Sequence, residues 1–110
     1  MRDLDKICDD FQRESRNDYV GLWQVVNAIE RDFKPANPEE RRRLTLEVVK
    51  KLISNGLQAV SLKAAGSGCI PWPDQDVESV VTRINAEWDT LGHDPDIGDI
   101  VWFNKPNEHE

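Results

Sequence analysis

The strongest constraint on this chain is a pair of prolines three residues apart. Pro35 excludes the helical conformation from Lys34 before it, so a helix running through Phe33 has to stop there. Asn37-Pro38-Glu39-Glu40 then holds the parts of a helix start in order: a capping side chain, proline at the first helical position, and an acidic residue three after the cap. The chain must therefore turn between two helices at Lys34-Pro35-Ala36-Asn37.

Apolar spacing supplies the rest. Leu4, Ile7, Cys8 and Phe11 recur at helical intervals and predict a short amphipathic helix ending before Ser15. Asn17 or Asp18 can cap a second helix whose inner stripe is Tyr19, Leu22, Trp23, Val26, Ile29 and Phe33. The third helix, about 38–54, buries Leu44, Val48, Val49, Leu52 and Ile53 and ends at Asn55-Gly56. Leu57 to Lys63 is too short for another helix and alternates through Val60 and Leu62, so it reads as a strand. Residues 64–73 hold two glycines and two prolines around Trp72 and form a loop. Asp74 or Asp76 caps a fourth helix, about 75–91, with the stripe Val77, Val80, Val81, Ile84, Trp88 and Leu91 before Gly92. After the turn at 93–98, Asp99-Ile100-Val101-Trp102-Phe103 is a second β-prone run, and 105–110 is a polar tail.

These elements predict an α+β fold: a compact helical domain of four helices with a small two-stranded element, winged-helix-like in order. A strand, helix, strand succession permits a parallel pair through the helical crossover, and an antiparallel pair is equally open. At 110 residues, 38% of them apolar, the whole of 1–110 is one domain with no room for a second. No apolar run approaches the roughly 18 residues of a membrane span, and Met1-Arg2-Asp3-Leu4-Asp5 lacks a signal peptide's apolar stretch, so a cytoplasmic chain with no membrane partner is expected.

Charge is distributed unevenly. Residues 1–63 carry 12 Lys and Arg against 11 Asp and Glu, whereas 64–110 carry 2 against 10. The net charge of −7 is thus a property of the C-terminal part, which favours a basic partner and repels phosphate backbones. Glu87, Asp89, Asp94, Asp96 and Asp99 are the expected partner-binding carboxylates, with Trp72 as an aromatic anchor. Glu87 and Asp89 flank Trp88 in sequence and so point away from its buried stripe. A coherent, unneutralised acidic surface is the premise of this reading.

Arg41-Arg42-Arg43 supports a competing one, a helix-turn-helix or winged-helix regulator with the three arginines at the start of its second helix, on DNA. Glu39, Glu40 and a pI of about 4.8 argue against it.

Catalytic chemistry has little to work with. His93 lies in a turn and His109 next to the C-terminus, so neither is placed as a base, and no catalytic residue is expected. Cys8, on an inward stripe, reads as an inert thiol, while Cys69 in the Gly/Pro loop is the more exposed of the two. Asp94, Asp96 and Asp99 lack the twelve-residue loop and bidentate Glu of a calcium site, and neither a metal nor a cofactor is expected.

Two stretches carry a resemblance. Asp18-Tyr19-Val20-Gly21-Leu22-Trp23-Gln24-Val25-Val26, together with Pro71-Trp72-Pro73 and the later Asp94-Pro95-Asp96-Ile97-Gly98-Asp99-Ile100-Val101-Trp102-Phe103, resembles small bacterial proteins of the toxin-immunity type, encoded beside contact-dependent or polymorphic toxins. The likeness spans roughly 18–104 and transfers no site residues. It implies a cytoplasmic immunity protein or antitoxin that covers the active site of a basic, nuclease-type toxin domain.

Overall fold

A computed structural model describes residues 3–16, 18–62, 68–96 and 99–105. Four helices and four strands follow one another as α1 (Leu4–Glu14), β1 (Val20–Gly21), α2 (Leu22–Phe33), α3 (Pro38–Ser54), β2 (Gln58–Leu62), β3 (Cys69–Pro71), α4 (Val77–Leu91) and β4 (Trp102–Asn104). The fold is α+β. Its β element is a four-stranded sheet rather than a pair, ordered β1-β4-β2-β3 and antiparallel throughout, so the parallel crossover does not occur.

Side-chain caps start three of the four helices, at Asn37 and Asp76 as the sequence predicts and at Asp3, which the sequence reading did not single out. Asp3, Asn37 and Asp76 each accept a backbone N–H from the residue three further on, at 2.9, 2.8 and 3.0 Å. Gly92 ends α4 in the left-handed region at φ 78. The exception is α2, which begins at Leu22 instead of near Asp18. Asn17 lies outside the described residues, and Asp18 caps nothing in α2, because Val20–Gly21 is drawn into the sheet against Phe103 and Trp102. The cap passes to Gly21, whose N–H donates to Gln24 Oε1 at 2.7 Å.

α3 is the hub, packing against α1, α2 and α4. Its inward residues Val48, Val49 and Leu52 have no exposed surface, and the buried Thr45 donates its hydroxyl back to the Arg41 carbonyl at 2.8 Å. Among the strands, Val20, Phe103 and Ala59 stand opposite one another across β1, β4 and β2 and belong to the same core. The other face carries Gly21, Trp102, Val60 and Pro71. Val60 is buried there although it is not part of the main core cluster. Trp23, expected in the core, instead lies half-buried against Gly21. A Cβ on Gly21 would come 2.5 Å from its indole nitrogen, so the position accepts only glycine without a shift of the ring.

Two short strands escaped the sequence. β3 forms within the expected loop, and its Ile70 is the exposed large apolar side chain among the described residues, at 54%. The last strand is confined to 102–104 because Ile100 adopts φ 67, which breaks the extended run. No described helix is long and apolar enough to cross a membrane.

Candidate interaction surface along α3 and α4

The first turns of α3 lie beside the C-terminal end of α4, and there the arginines of one reading meet the carboxylates of the other. Arg41 bridges two acids: its Nε donates to Glu30 at 2.8 Å and its Nη1 to Asp94 at 2.6 Å. Both contacts hold its guanidinium above the ordinary arginine range, the hydrogen bond to Glu30 most of all. Arg42 donates to Asp89 at 2.6 Å and stacks 4.8 Å over the centroid of Trp88, which closes the seam from below at 2% exposure. Arg43 has only Glu40 at 3.7 Å. An open groove of about 340 Å³ runs along this seam past Pro38, Arg42, Trp88, Asp89 and His93.

Higher on α4, Arg83 donates to Glu87 one turn away at 2.7 Å and lies 3.8 Å over the ring centroid of Trp72. Trp72 is not an exposed anchor. It is 4% exposed, its backbone N–H donates to Ala59 and its indole N–H to Ser61, because the strand pairing turns the ring onto the core face of the sheet. Gln75 completes this corner by bonding the backbone of both Ala59 and Trp72.

The premise of one unneutralised acidic surface therefore needs correction. Glu87, Asp89 and Asp94 each have an arginine partner, two of them on α3, because α4 packs directly across the helix that carries the basic run. Asp96 and Asp99 are different: among the described residues no cation lies within 4 Å of either. They are joined through the Asp96 N–H, which donates to Asp99 Oδ2 at 2.8 Å. At the opposite end of α4, Asp74, Asp76 and Glu78 likewise have no described cationic partner. The 15 residues of α4, about 22 Å of helix, separate the two groups.

The cysteines behave as their surroundings dictate. Burial pushes the Cys8 thiol up to about 11, keeping it protonated and unreactive, while Cys69 is half-buried on β3. Sequence reasoning missed Ile70 and the place of His93, whose ring nitrogen lies 2.7 Å from the Asp94 carbonyl. An isolated histidine in turn-forming sequence gave no signal of that contact. No protein-family model, curated protein or solved structure matches the chain.

Proposed function

We propose that this chain is a non-catalytic, cytoplasmic binding protein that covers a basic partner, in the manner of an immunity protein or antitoxin neutralising a nuclease-type toxin domain. One observation carries the reading. Arg41 and Arg42, the cations best placed to meet a phosphate backbone, are held by Glu30, Asp94 and Asp89, whereas Asp74, Glu78, Asp96 and Asp99 keep charge with no described cation beside it. What α4 and the segments before and after it offer a partner is consequently negative. The net charge of −7 and the resemblance of 18–26, 71–73 and 94–103 to toxin-immunity proteins support the same choice over a DNA-binding regulator.

The docking carboxylates are revised accordingly, from Glu87, Asp89 and Asp94 to the unpaired groups at the ends of α4. The test is protection. The product of the reading frame adjacent to this one is expected to arrest growth when expressed alone and to be neutralised when this chain is co-expressed. Association is expected to slow steeply with salt. An adjacent product indifferent to this chain, association insensitive to salt, or a salt-dependent mobility shift of duplex DNA by the chain would each defeat the proposal.

A further inference from the structure

The turn after α4 gathers three side chains whose convergence the docking reading does not require. His93, Asp96 and Asp99 recur at every third position, and each offers a ligand atom within 4.8 Å of the others. We infer that these three side chains bind one divalent transition-metal ion of the zinc, cobalt or nickel kind.

The donor set selects the class of ion. One imidazole nitrogen with two carboxylates suits a borderline metal, whereas calcium and magnesium take oxygen ligands. The imidazole is also oriented by a group outside the triad. His93 Nδ1 lies 2.7 Å from the Asp94 carbonyl oxygen, and a carbonyl can only accept, so Nδ1 carries the proton and the Nε2 lone pair is left free. Metal-bound histidines are held in this way, with the second ring nitrogen donating to a carbonyl or carboxylate that fixes the tautomer. The Asp94 carboxylate is itself turned away to Arg41, at 2.6 Å, and does not crowd the triad.

The backbone beneath the ligands is fixed at both ends. Gly92 closes α4 with its N–H on the Trp88 carbonyl at 3.2 Å, and Pro95 is buried. Further on, the Asp99 N–H donates to the Asp96 carbonyl at 3.0 Å, and Val101 is anchored in the core with no exposure. Two neighbouring carboxylates with no described cation beside them gain a counter-charge from the ion, and three protein ligands leave its remaining positions to water.

Zn²⁺ titrated calorimetrically into the untagged full chain is expected to saturate at one ion per chain. His93→Ala, Asp96→Asn and Asp99→Asn are each expected to weaken binding by about tenfold or more. Glu78→Gln and His109→Ala, which removes the chain's other imidazole, leave it unchanged. Long-range ¹H–¹⁵N spectra are expected to show zinc on Nε2 of His93 with Nδ1 still protonated, and far-UV circular dichroism separates loss of a ligand from loss of the fold. Titration without saturation, full affinity in His93→Ala, or loss of binding in His109→Ala overturns the site. Partner capture in the presence of EDTA reports on the docking reading alone, so the two fail separately.

Discussion

The seam between α3 and the end of α4, and the stretches flanking it at Asp74–Asp76 and Asp96–Asp99, are all acidic in sequence, yet their carboxylates have different surroundings. Along the seam with α3, Asp89 and Asp94 sit 2.6 Å from arginine nitrogens, and Trp88 lies under Arg42. Before the helix, Asp74 and Asp76, and after it, Asp96 and Asp99, have no such partner among the described residues. Net charge is a sum along the chain. What a partner meets is the remainder after the chain has paired with itself, and packing decides that remainder.

This contrast can be broken from several sides. Trp88→Ala removes the apolar floor of the seam, and a loss of about 3–5 kcal/mol in urea unfolding is expected for a tryptophan buried to 2%. Gly21→Ala lies away from the seam and serves as its structural control. Its new Cβ would meet the Trp23 indole at 2.5 Å, and about 1–3 kcal/mol of destabilisation is expected, with a near-ultraviolet change from the displaced ring. Asp94→Lys sets a cation against Arg41, and a smaller loss, about 1 kcal/mol, is expected, shrinking as salt is added. Reversal at Asp94 therefore confounds stability with docking. The double reversal Asp74→Lys with Glu78→Lys, away from the zinc ligands, is the cleaner probe, with a stability change within about 1 kcal/mol and slower association with the basic partner.

The smallest effect concerns acid. Hydrogen bonds from Ser79, the backbone N–H first, hold the Asp76 carboxyl below its ordinary value. The ionised cap therefore adds stability that is complete above the unfolded carboxyl's pKa of about 4 and is lost as pH falls through the lower folded value. Asp76→Asn is expected to flatten that acid limb in thermal melts while leaving the neutral-pH fold intact. An unchanged acid limb would show that the cap does not contribute.

Helices were legible because their signals are local. A cap, a proline and an apolar stripe lie within one segment, and α3 forms from Pro38 to Ser54 as those signals direct. β1 and β3 were not legible, being two and three residues long and held extended only by their pairing, β1 with the far end of the chain through Val20 and Phe103, and β3 with the preceding strand through Ser61 and Ile70. Trp72 misled for the same reason. Two flanking prolines suggest a rigid exposed ring, but the register of β3 on β2 turns it inward onto Ser61. The candidate site was legible as a list of acids and not as a surface, because nothing near Asp89 or Asp94 in the chain announces Arg42 or Arg41, 47 and 53 positions away.

By itself the sequence determined four helices, the caps of α3 and α4, the α+β class and the sign of the charge, since each depends on residues within a turn or two or on simple counting. Tertiary structure alone decided the four-stranded antiparallel sheet, which tryptophans are inside and which acids the arginines neutralise. Those outcomes depend on distances between segments far apart in the chain, and packing fixes such distances only when the whole core closes.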